Sequence, residues 1–410
     1  MATTVIVYPS GTTSNSNPHI LFSGGTGSTY TIEMTDDGEL KFCTQVDRDE
    51  IFVQDSNIAG KITTIEYKSQ DTNLYYLQDT GDTYTLKYLD DALATGTTNL
   101  YSGMSIYRTD SVFNSTGDIM YLTGDLPDEG SLGTPEVIRR VNVNTEQVTH
   151  QYQVVTDGHI HSRPIQFTYN STDYLVFSEI NGNSISDSCL TFLNPSNLNL
   201  IGREFYNNYA ENSSVTYISG INYDPVNEKI YWTRHTPGEV QTKFGEYDMA
   251  TSAFTTANTV NYRFNHHNQL LDGTQKVYSA GYGPTSSTYI TGSTYGYFDF
   301  SSDTYTELTG QTYPTTPADR VSTGTWNDRA HSDINTETNN IYQVFLFDLI
   351  EVNGSNGNII ETNFLGSSDG DSNSAKPFVS AMGVHEDREE IWTARYNGSN
   401  TNAKFVVYGI

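Results

Sequence analysis

The chain has 410 residues, enough for one large all-β unit or two ordinary domains, and its 30 tyrosines and 33 glycines, with Thr, Ser and Asn throughout, favour strands and turns over helices. Its 49 acidic residues outnumber 21 basic ones, for a net charge of -28, so the surface repels phosphate backbones and anionic headgroups, and no nucleic acid is expected as a partner. No stretch approaches the roughly 20 apolar residues of a membrane span, so no membrane insertion is expected either. Two cysteines, Cys43 and Cys189, are too few for a disulfide framework or a cysteine-based zinc site.

In chain order, the opening residues 1–8 lack the basic segment and apolar run of a secretory signal. Asp36-Asp37-Gly38, set between alternating segments, signals a β-hairpin. Residues 215–256 then read as strand, turn, strand, loop, strand, turn, strand, which is one propeller blade. Its second strand recurs as short apolar and aromatic runs opening at Leu74, Ile119, Tyr174, Ile230, Val277, Ile341 and Ile391. That makes seven copies, spaced about 50 residues apart, a propeller period. Tight turns around 144–146, 195–197, 250–252 and 301–303 separate the third and fourth strands. The last copy stops one strand short, and an open edge in a closed ring leaves hydrogen-bonding groups exposed. Residues 50–55 are placed to supply the missing strand. The expected fold is all-β: a seven-bladed propeller of four-stranded blades over 50–410, closed by an N-terminal strand and preceded by a short β-hairpin segment, 1–49. A solenoid or a pair of β-sandwiches would be the rivals.

Residues 19–55 carry a further pattern: Ile20, Phe22 and Gly24, then Asp37-Gly38, then Ile51-Phe52 and Asp55. This order resembles a short β module near the start of tail-fibre and other virion proteins of aquatic bacteriophages. The resemblance covers about a tenth of the chain and implies a virion protein whose N-terminal segment attaches to the particle while the propeller faces outward. Its expected location would be the particle surface, and its partners other virion proteins and a host-surface glycan or protein. Both the module and the ring lay claim to residues 51–55.

The first strand of each blade lines the central channel. Counting back from each second strand puts polar or small residues there, among them Glu66, Gln166, His267, Gln269, His331 and Asp333. They read as a polar, water-filled lining, with no metal and no cofactor expected. No phosphate loop, nucleotide-binding glycine pattern, nucleophile elbow or paired-histidine zinc motif is present. The long loops, 125–136, 234–243, 281–294, 310–329 and 365–376, emerge on one face of the ring and are rich in Gly, Thr and Ser. Tyr282, Tyr289, Tyr295, Tyr313 and Trp326 in or beside them offer flat faces for a ligand at modest entropic cost. The functional expectation is a non-enzymatic virion component (fibre, receptor-binding protein or decoration) that binds a host ligand or neighbouring subunits through this face. The alternative is a hydrolase or lyase acting on polysaccharide at the channel mouth.

Overall fold

The computed structural model describes residues 5–7, 19–23, 29–34, 40–44, 50–68, 73–80, 84–89, 95–98, 110–125, 136–154, 159–180, 188–206, 217–235, 241–261, 263–264, 268–282, 293–308, 330–345, 348–364, 378–396 and 402–409. Apart from one turn of 3-10 helix at Glu386–Arg388, every regular element among them is a strand. Seven antiparallel sheets form a seven-bladed β-propeller. The inner strand is Lys61–Lys68 in blade 1, Ser111–Phe113 in blade 2, Ile165–Tyr169 in blade 3 and Tyr217–Asp224 in blade 4. It is Arg263–Phe264 with Gln269–Leu270 in blade 5, Ala330–Asn335 in blade 6 and Phe378–His385 in blade 7. Each inner strand touches the next all the way round, and that of blade 7 packs on that of blade 1.

The seven recurring runs all fall in second strands: Asn73–Asp79, Ile119–Asp125, Thr172–Ile180, Lys229–His235, Lys276–Tyr282, Asn340–Phe345 and Glu390–Tyr396. Blade 7 takes its fourth strand from Glu50–Ala59, which pairs antiparallel with Asn402–Gly409 in a register that sets Phe52 opposite Val407 and Val53 opposite Val406. Residues 51–55 therefore belong to the ring. Upstream of them, Val5–Val7, His19–Ser23, Thr29–Met34 and Leu40–Thr44 make a four-stranded sheet of their own.

Local chemistry sets the turns. The third strand runs into Asn142, Asn194, Asp248, Asp299 or Asn353 in blades 2 to 6, and the side-chain oxygen of each accepts a backbone N–H two or three residues on. Four residues after each one, Glu146, Leu198, Ser252, Asp303 or Gly357 takes positive φ. An Asx-initiated turn ending in a left-handed residue reverses the chain into the fourth strand.

The core is distributed between blades rather than within one. Each pair of neighbouring blades encloses an apolar layer of its own, from the blade 1–2 layer of Tyr75, Leu77, Leu86, Met120 and Leu122 to the closing 7–1 layer of Ile65, Trp392 and Phe405. One position of the second strand faces the following blade and is aromatic in six of the seven: Tyr75, Tyr121, Tyr231, Tyr278, Tyr342 and Trp392, all buried. Two of these rings tether their neighbour by hydrogen bonds. Tyr121 Oη donates to Pro195 O at 2.9 Å and Tyr278 Oη to Gly354 O at 3.0 Å. In blade 4 Gly245 lies opposite Trp232, and a Cβ there would come within 2.1 Å of the indole, so only glycine admits the ring.

Candidate functional site at the channel axis

Side chains of a strand alternate between faces, and in this ring one face meets the preceding blade and the other the following one. Glu66, Gln269 and Asp333 occupy equivalent forward positions, paired with Tyr75, Tyr278 and Tyr342. Each joins its blade to a neighbour. Gln269 Nε2 donates to Ser332 O of blade 6 at 2.9 Å. Asp333 Oδ2 accepts from Val384 N of blade 7 at 2.8 Å, and its Oδ1 from Ile334 N at 2.9 Å. Glu66 Oε1 accepts from Ser111 Oγ of blade 2 at 2.8 Å and from Arg163 Nη2 of blade 3 at 2.6 Å.

Arg163 is the centre of the arrangement. From the approach to blade 3 it reaches across two blades, and its Nε also donates to Ser111 O at 2.9 Å. Thr64 Oγ1 and Ser111 Oγ lie 2.7 Å apart beside it. Thr64, Glu66, Asp110, Arg163, His331 and Ser332 line one small cavity with Ala381 and Met382, and the room left takes about one water molecule. Glu66 is 13% and Arg163 26% exposed, so solvent screens them weakly. Burial pushes the Glu66 carboxyl up to about 7, with Asp333 and Asp110 adding to the rise against the pull of Arg163 and the Ser111 hydroxyl. Burial likewise raises Asp333 above the usual carboxylate range, opposed by Arg163 and two backbone N–H groups. The Arg163 guanidinium is held above its ordinary value by Glu66, Asp333 and Asp110, which outweigh its own burial.

The residues expected at the channel sort as follows. Glu66, Gln269, His331 and Asp333 lie on inner strands around the axis, His331 and Asp333 in blade 6. Gln166 sits on the inner strand of blade 3 opposite Leu175, whose side chain packs towards blade 2. His267 lies outside the described residues. Beyond lining the axis, three of these side chains, Glu66, Gln269 and Asp333, join blade to blade.

Arg163 and Asp110 were missing from the expected set, and the cause is register. In blade 2 it is Met120, not Ile119, that packs back onto blade 1, and in blade 3 Leu175, not Tyr174, that packs back onto blade 2. A slip of one residue turns every side chain to the other face. Counted from Met120, the inner-strand position equivalent to Thr64 is Asp110. In blade 3 Leu175 pairs with Gln166, whereas Leu74 pairs with Tyr67, so the equivalent position lies two residues further back, at Arg163.

Of the aromatic residues expected on the loop face, Tyr295 is a correction. It belongs to the strand Ser293–Asp299, is fully buried and packs between blades 5 and 6 against Tyr278 and Ile341. It shares its strand face with Tyr297, which packs against the same layer, as period-two alternation demands. Tyr282 ends the strand Lys276–Tyr282, paired with Arg263 and Ser293. Tyr289, Tyr313 and Trp326 lie outside the described residues. Among the described residues, no group of three or more His, Cys, Asp or Glu is placed to hold a metal ion, and Cys189 is buried with its Sγ 3.7 Å from Thr191 Oγ1.

No protein-family model matches this chain, and no curated protein does. Solved structures do. An oligogalacturonate lyase in complex with manganese superposes over 100% of this chain and 97% of its own with a TM-score of 0.53 at 11% identity. Kuenenia stuttgartiensis hydrazine synthase covers 87% of this chain and 97% of its own with a TM-score of 0.54 at 9% identity. The Cps50 (Swd1) β-propeller domain of Myceliophteria thermophila covers 88% and 99%, with a TM-score of 0.53 at 7% identity. At such identities the likeness is one of fold: the same ring carries enzymes and other proteins alike.

Proposed function

We propose that this chain is a non-enzymatic binding propeller of a virion, presenting a loop-bearing face to a host-surface glycan, a host protein or a neighbouring subunit, with residues 1–49 as the segment that attaches it to the particle. The axis carries the argument against chemistry at the channel. Its charged groups are engaged with one another and with neighbouring backbone, and the space among them holds about one water. Among the described residues, that cavity is too small for a sugar ring, and Glu66 or Asp333 acting on a substrate would have to give up contacts that join the blades. The reading assigns binding to the long loops, where Tyr289, Tyr313 and Trp326 occur in the sequence. The attachment role rests on the resemblance of residues 19–55, and the separate four-stranded sheet formed upstream of residue 50 is compatible with it.

The test is to express the full chain and a form lacking residues 1–49, which keeps the closing strand, and to measure incorporation into particles and adsorption to host cells. The truncated form should fold, bind cells and fail to incorporate. Normal incorporation would sink the attachment role. Turnover on a polysaccharide panel that disappears in Glu66→Gln would sink the non-enzymatic one.

A further inference from the structure

Three carboxyls, Glu66 of blade 1, Asp110 of blade 2 and Asp333 of blade 6, act on a single arginine, Arg163 of blade 3; Glu66, Asp110 and Arg163 line a cavity that also meets His331 of blade 6 and two apolar residues of blade 7. Fully ionised, these three acids and one guanidinium carry a surplus of negative charge in a poorly screened space. With one proton bound, a single carboxylate of surplus remains. The contacts at stake are those that join inner strands: Arg163 to Glu66 and Ser111 O, Ser111 Oγ to Glu66, and Asp333 to Val384 N.

We propose that the axial cluster is a proton-linked clasp: one proton held among the three carboxyls that crowd Arg163 keeps the inner strands joined, and losing it loosens those of blades 1, 2 and 3 against one another and that of blade 6 against blade 7. A neutral Glu66 still accepts from Arg163 and Ser111 through its carbonyl oxygen, while its hydroxyl becomes a donor towards the remaining carboxylates or a water. Arg163 is then shared among fewer negative charges. Blade 7 adds one more group to the balance, since Glu386 lies close enough to raise Asp333.

The direction follows from linkage. Glu66 sits at about 7 in the folded chain against an ordinary 4.5, so between those values the folded state keeps a proton that the unfolded state has lost. The stabilisation is complete below the ordinary value, falls as pH rises through 7, and is gone above it. Local opening at the axis should become easier by up to about tenfold per pH unit in that window.

The experiment is a carbon-detected NMR titration of glutamate carboxyls in the full chain from pH 4 to 9, with amide exchange measured on the same samples and corrected for its intrinsic pH dependence. One glutamate should titrate near 7, vanish in Glu66→Gln and move down in Asp333→Asn, where a neighbouring negative charge is gone. Exchange at residues 64–66 and 111 should steepen with pH in the wild type and lose that extra slope in Glu66→Gln. The general repulsion of a chain at -28 remains in both and cancels in the comparison. A wild type with no glutamate titrating above about 5.5, or equal slopes in wild type and Glu66→Gln, overturns the clasp. Should Glu66→Gln not fold, the wild type and Asp333→Asn titrations decide alone.

Discussion

Between its blades the ring is filled with aromatic and aliphatic side chains, whereas along its axis it is filled with charge. The blade 4–5 layer stacks Phe244 on Phe298 with centroids 4.4 Å apart, and the 3–4 layer stacks Phe167 on Tyr223 at 3.8 Å. At the axis, by contrast, Arg163 bridges Glu66 and Ser111, and Gln269 and Asp333 hydrogen-bond to the next backbone. Apolar burial is non-directional and grows with area, so the layers should carry most of the stability. A buried ion pair recovers little beyond its own desolvation, but breaking it leaves a charge uncompensated. The axis therefore fixes geometry and responds to protons, and the layers hold the ring together.

The largest effect should come from the closing layer. Trp392 is fully buried among Ile65, Leu74 and Phe405, where the last blade meets the first. Trp392→Ala should cost about 3–5 kcal/mol in denaturant unfolding. A loss below 1 kcal/mol, smaller than that of Glu66→Gln at neutral pH, would break the contrast. Next comes Gly245→Ala, which sets a methyl against the Trp232 indole and the Thr255 carbonyl. Overpacking of that kind costs about 1–3 kcal/mol, and pairing it with Trp232→Phe, which makes room, should restore part of the loss in a double-mutant cycle.

Much of this fold could be read from the chain because propeller blades rest on local signals. Polar turns followed by apolar-aromatic pairs gave all seven second strands, and an unfilled edge in the last blade pointed to residues 50–55, which pair there. Register was harder. In blade 2 the sequence Ile119-Met120-Tyr121 offers two starting points, and only the aromatic residue, aligned with Tyr75, Tyr231, Tyr278 and Tyr342, marks the right one. Blade 3 has Leu175-Val176 there and no such marker, and the sequence does not say that Leu175 pairs with Gln166. That is why Arg163, the hub of the axis, escaped notice: it precedes its strand, next to a proline, and finds Glu66 only through the closure of the ring. Tyr295 erred in the opposite sense, since a tyrosine two residues into a strand looks the same in sequence as one at the tip of a loop.

The smallest effect is the most discriminating, because two tyrosines at the same position of neighbouring blades differ in one respect. Tyr278 donates to Gly354 O in the outer turn of blade 6, and burial raises its hydroxyl well above the usual phenol range. Tyr231 is just as buried, stacked on Phe300 at 4.2 Å, but its hydroxyl has no hydrogen-bond partner among the described residues. Tyr278→Phe removes one partner of a buried pair and leaves the Gly354 carbonyl unsatisfied, so it should destabilise by about 1 kcal/mol. Tyr231→Phe removes a polar group that burial has already stripped of water, so it should be neutral or slightly stabilising. Equilibrium unfolding of both variants at fixed pH measures the difference directly. Equal losses would mean that Tyr231 has a polar partner after all, and equal neutrality would mean that the hydrogen bonds between blades add nothing to what the apolar layers provide.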